Sequence, residues 1–172
     1  TDLFDGSSWI KNCGPKAAGT GTLYDSTWRQ RNSLPAAFTG RASAFSIGTK
    51  GYFISDGGGL YEYDPAADSW TVKAGFPPGV RYRGVAFSIG TKGYFGLGTA
   101  GDPLRDDFWE YDPAVNAWTQ KASFPGGVRK YPVGFSIGNK GYISTDLDGN
   151  FWEYDPVKDL WTQKADYPGP IV

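Results

Sequence analysis

Apolar positions along this chain come in short runs rich in aromatic and β-branched residues, interrupted by Gly, Asp, Pro or Lys, and no stretch carries the 3.6-residue period of an amphipathic helix. Such runs read as strands. Between residues 84 and 122 they predict four, at 84–89, 93–97, 107–111 and 118–122, forming one antiparallel sheet of strands a to d. Gly90-Thr91-Lys92 supplies the turn from a to b, its glycine giving the permissive backbone of a tight hairpin. Asp112-Pro113 opens the turn from c to d, where Pro fixes φ and Asp bonds its own downstream backbone.

The same pattern occurs three times. Phe45-Ser46-Ile47-Gly48-Thr49-Lys50-Gly51-Tyr52 returns from Phe87 to Tyr94 and again, with Asn139 for Thr, from Phe135 to Tyr142. Tyr61-Glu62-Tyr63-Asp64-Pro65 returns as Trp109-Glu110-Tyr111-Asp112-Pro113 and Trp152-Glu153-Tyr154-Asp155-Pro156. Five residues after each Pro stands Trp70, Trp118 or Trp161.

A small and aliphatic first strand, a Gly-Tyr second, an aromatic-Glu-Tyr-Asp-Pro third and a Trp opening the fourth resemble kelch repeats, in particular bacterial, secreted ones, over residues 39–168. The resemblance implies an all-β, kelch-type β-propeller of three complete four-stranded antiparallel blades, at 39–74, 75–122 and 123–168. It also implies an extracellular or cell-surface location. Each sheet is expected to bury both faces against its neighbours, with the three tryptophans as wedges between blades. Only one unit, at Asp56-Gly57-Gly58, has the paired glycine that the family often places after strand b.

Residues 1–38 hold degenerate echoes of strands c and d, Leu3-Phe4-Asp5 leading to Trp9 and Leu23-Tyr24-Asp25 leading to Trp28, and read as a degenerate N-terminal blade portion of one domain spanning 1–172. Closed propellers use four to eight blades. A four-bladed ring, a partial propeller completed by self-association or by pairing with another chain, and a fragment of a longer propeller all remain open. The absence of Met, even at position 1, suits a processed chain or a fragment.

Composition narrows the chemistry. Seventeen Lys and Arg against eighteen Asp and Glu leave a net charge of -1, which gives no footprint for a nucleic-acid backbone, and no apolar run approaches the ~20 residues of a membrane-spanning helix. Cys13 is the only cysteine, so an intrachain disulfide is excluded. Histidine is absent, removing the side chain most used for proton transfer near neutral pH and the commonest transition-metal ligand. Kelch oxidases hold copper through His and a Tyr linked to Cys, a chemistry that maps onto no residue here. No cofactor is expected, and a non-enzymatic binding module is the preferred reading.

Strand alternation puts the b–c loops and the d-to-a connections on one face. The a–b and c–d turns repeat nearly unchanged, whereas the b–c loops at 55–59, 98–106 and 145–150 differ in length and content. Unequal loops on a rigid scaffold mark that face as the candidate site. Its candidate ligand-binding residues are Arg41, Asp56, Arg81, Tyr82, Arg83, Asp102, Arg105, Arg129, Lys130 and Tyr131, since Arg beside Tyr can grip carboxylates or sugar hydroxyls and stack on planar groups. Tyr167 is a further candidate for stacking. The plain alternative is that the cations pair with Asp56, Asp102, Asp106, Asp146 and Asp148 on adjacent loops. Asp146-Leu147-Asp148-Gly149-Asn150 opens like a calcium loop, but Val157 stands where the bidentate Glu belongs, and an ordinary turn is expected. Three functions compete: a protein-interaction module, a lectin-like carbohydrate binder, and an enzyme using Asp102, Arg105 and Asp106 as acid–base groups.

Overall fold

The computed structural model describes residues 3–4, 9–10, 29–35, 42–101, 104–127, 131–145 and 149–166. The chain divides into two compact units, Thr1–Ser33 and Leu34–Val172. In the first, β1 (Leu3–Phe4) pairs antiparallel with β2 (Trp9–Ile10), where the Leu3-to-Trp9 echo predicts a hairpin. The second echo, at Leu23 to Trp28, lies outside the described residues.

The second unit contains three four-stranded antiparallel sheets, each a meander in chain order, and no helix among the described residues. The first consists of β3 (Ala42–Ile47), β4 (Lys50–Ser55), β5 (Leu60–Asp64) and β6 (Ser69–Lys73). The second consists of β7 (Val85–Ile89), β8 (Lys92–Gly96), β9 (Phe108–Asp112) and β10 (Ala117–Lys121). The third consists of β11 (Val133–Ile137), β12 (Lys140–Ser144), β13 (Phe151–Asp155) and β14 (Leu160–Lys164). In the second sheet each strand boundary lies within one residue of its expected place.

The local chemistry follows the repeat. Each Asp-Pro turn is closed by its aspartate, with Asp64, Asp112 and Asp155 accepting from the backbone N–H two residues on at 2.9, 2.9 and 3.0 Å. The turn then needs a left-handed residue, supplied by Asp68, Asn116 and Asp159 at φ of 48°, 51° and 51°. Short polar side chains tolerate that conformation best. Tyr63, Tyr111 and Tyr154 anchor those same side chains through their hydroxyls at 2.7–2.8 Å.

The anchored turn residues also join the sheets. Asn116 accepts from the Ala74 N–H of the first sheet, and Asp159 from the Ala122 N–H of the second, both at 2.9 Å. Beside them, Trp118 Nε1 donates to the Ala74 carbonyl and Trp161 Nε1 to the Ala122 carbonyl, at 2.8 and 2.9 Å. Trp118 and Trp161 thus wedge between sheets as expected, satisfied at their polar edge and packed on Phe76 and on Phe108 and Phe124 at their apolar faces, whereas Trp70, the third expected wedge, packs on Phe53 and Tyr63 of its own sheet. Closer to the first strands, Phe45 of the first sheet lies against Gly93 of the second, and Phe87 of the second against Gly141 of the third, so tightly that a Cβ on either glycine would collide with the ring.

Candidate functional site

Among the described residues, the first two b–c loops meet the d-to-a connections on one face, as strand alternation requires. Phe76 N–H donates to the Gly58 carbonyl and Arg81 N–H to the Asp56 carbonyl, binding the first connection to the first b–c loop at 2.7 and 2.9 Å. Tyr82 and Thr99 exchange both backbone hydrogen bonds, and Phe124 N–H reaches the Asp106 carbonyl. The loop backbones are therefore tied to each other.

At the centre of this lacing is an ion pair. Arg81 carries both terminal nitrogens to Asp107, at 2.5 and 2.9 Å, with only 2% of its side chain exposed. Its Nη1 also donates to the Leu97 carbonyl at 2.9 Å, aimed by a backbone that holds Leu97 at φ 57°, and its guanidinium lies 5.1 Å from the Phe76 ring centre. Trp109 Nε1 donates to Asp107 at 2.8 Å. Burial alone would raise the Asp107 carboxyl, but the hydrogen bonds from Arg81 and Trp109 and the Arg81 charge outweigh it and hold the group below the usual carboxylate range.

Pro78, Arg81, Ala100, Arg105, Asp106 and Asp107 line a cleft of about 340 Å³. That is at the small end of ligand-site volumes. Because Asp107 already matches the Arg81 charge, the groups the cleft offers a newcomer are the exposed Arg105 and Asp106, one of each sign. Arg81 therefore braces the wall, and its partner is not one of the five aspartates expected from the loops. Asp107 escapes notice in the sequence because the repeat places it at the start of strand c, whereas β9 begins at Phe108. The signal was there: the corresponding positions of the other units are Gly59 and Asn150, so only the second unit is acidic there.

A second feature lies where the connections enter β7 and β11. Arg83 and Tyr131 occupy the same repeat position, two residues ahead of each strand, and both are left-handed at φ 58° and 56°. That backbone costs about 1–2 kcal/mol per non-glycine residue. The Arg83 guanidinium stacks 4.7 Å from the Tyr131 ring centre, and Tyr131 remains 57% exposed. Tyr82 and Asp56 are half-buried, and Asp56 is engaged. Arg41, Asp102, Arg129, Lys130 and Tyr167, and the Asp146–Asp148 stretch of the suspected calcium loop, lie outside the described residues.

No protein-family model and no curated protein matches this chain. Its fold is similar to the solved structure of YjhT. The TM-score is 0.69 at 19% identity, over 80% of this chain and 54% of that one, so the chain spans about half the length of the structure it matches. Identity this low carries the likeness to the fold alone.

Proposed function

We propose that this chain is a set of kelch-type propeller blades serving as a non-catalytic binding module, and that its working surface is the face of b–c loops and d-to-a connections, where it holds a segment of a protein partner. The observation carrying this reading is the Arg81–Asp107 brace with the cleft beside it, which holds the two ends of the longest and most divergent b–c loop, at Leu97 and Asp107. Pre-organised loops bind without the entropic cost of ordering them. A cleft offering one exposed cation and one exposed anion suits a peptide, whose own charges and backbone groups come in both signs. The absence of histidine favours binding over catalysis, and the extracellular or cell-surface placement rests on the kelch resemblance. A carbohydrate ligand is the second reading, favoured by the exposed ring of Tyr131.

Selection from a displayed-peptide library and a glycan array, each repeated with Arg105→Ala and Tyr131→Ala, tests both readings. The first expects peptides whose binding drops at least tenfold in Arg105→Ala, with the melting temperature unchanged. An array signal lost in Tyr131→Ala, without selected peptides, transfers the site to carbohydrate. Ligands indifferent to both substitutions would sink the assignment of this face.

A further inference from the structure

The third sheet ends in a face that repeats an interface found twice within the unit. Val133, Phe135 and Ile137 of β11 stand at the repeat positions of Val85, Phe87 and Ile89 of β7. The β7 trio is 4–6% exposed, with Val85 and Phe87 against Gly134 and Phe87 and Ile89 against Gly141, whereas the β11 trio is 43–65% exposed. Phe135 stacks with Tyr142 at 5.7 Å, and Tyr142 with Phe151 at 5.6 Å, as Phe87, Tyr94 and Phe108 do in the second sheet. There, Tyr154 and Trp161 of the third sheet cover Phe108; Tyr142 and Phe151 are only half-buried.

The first sheet holds the complement. Gly51 of β4 stands where Gly93 and Gly141 stand in the other sheets. A Cβ on Gly93 would strike Phe45, and one on Gly141 would strike Phe87, but among the described residues a Cβ on Gly51 would meet only Tyr63, at 3.9 Å. Among the described residues, one end of the unit is a phenylalanine without its glycine, and the other a glycine without its phenylalanine.

We infer that these end faces join head to tail between two copies of this chain, the Phe135 of each seating against the Gly51 of the other. The occupant is a second copy because the glycine surface a phenylalanine of this repeat requires is carried by the chain itself. A heterologous contact made twice about a two-fold axis closes into a ring. Such a ring holds six four-stranded sheets, within the four to eight of closed propellers. The contact uses the sheet ends and is independent of the loop cleft.

Sedimentation equilibrium of the full 172-residue chain at micromolar concentration tests this. The expected mass is twice the 18.7 kDa of one chain. Phe135→Asp and Gly51→Val should each halve it, while far-UV circular dichroism stays that of the parent. Ile137→Asp repeats the test at a more exposed position. Mixing Phe135→Asp with Gly51→Val restores one intact contact and should recover a mixed dimer. A monomeric parent chain, whether its end face is bare or covered by its own residues, overturns the inference. So does a dimer that survives the substitution at either end, or a mixture that stays monomeric.

Discussion

Arg81 surrenders almost all of its hydration, and what makes that tolerable is the planar match between its guanidinium and the Asp107 carboxylate together with the Leu97 carbonyl. Removing one partner strands the other. Asp107→Ala is therefore expected to cost about 3–5 kcal/mol, the range for breaking a buried pair from one side. Replacing both, as Arg81→Leu with Asp107→Leu, should cost clearly less, since no charge is left buried. Urea denaturation of the two variants measures the contrast; equal losses would mean that the pair contributes through its packing and not its charge. Lys92 with Asp112 and Lys140 with Asp155 link neighbouring strands at partly exposed positions, where an ion pair is worth little by itself.

At the level of the sheet, stability is concentrated where one sheet touches the next. Trp118 carries two such ties, its Nε1 on the Ala74 carbonyl and its ring 5.4 Å from Phe76. Trp118→Ala should cost about 3 kcal/mol or more, and Trp118→Phe less, because the ring contact survives while the hydrogen bond is lost. A single cooperative thermal transition shifted down in both variants is the expected result; an unshifted melting temperature in Trp118→Ala would contradict the packing described. These elements were legible in the sequence because the repeat supplied three aligned copies of every strand, turn and wedge. Strands called from the second copy alone fall within one residue. The site was less legible for the same reason, since repetition marks what the copies share, while the Arg81–Asp107 brace occurs where one copy differs. Nor does any sequence pattern show that Arg83 and Tyr131 lie left-handed and stacked; their pairing depends on two connections 48 residues apart meeting in space.

For the molecule as a whole, its titrating groups predict a broad pH plateau. Burial opposes ionisation of Glu62, but the hydrogen bonds from Tyr52 and Lys50 and the charges of Lys73 and Lys50 prevail and hold it below the usual range. Asp107 behaves alike, Asp112 is lowered chiefly by Lys92, and Asp155 chiefly by Lys140. A carboxyl lowered in the folded state contributes fully above its unfolded value near 4, and the contribution is lost as pH falls through the folded value. The tyrosines set the other limit. Burial and Glu110 raise Tyr94, burial and Asp159 raise Tyr154, and burial with the Glu62 and Asp112 charges pushes Tyr111 up to about 12. Above about pH 10 the unfolded chain releases phenolic protons that the folded chain retains, so stability falls as pH rises. Between these limits a protein usually has histidines to titrate, and this chain has none. The melting temperature should therefore stay level from about pH 5 to 8, fall below about pH 4 and fall again above about pH 10. Scanning calorimetry across that range checks both the level stretch and its edges. A step near pH 6.5 would have no side chain to explain it, and a stable fold at pH 2 would mean that the lowered carboxylates contribute little to holding the sheets together.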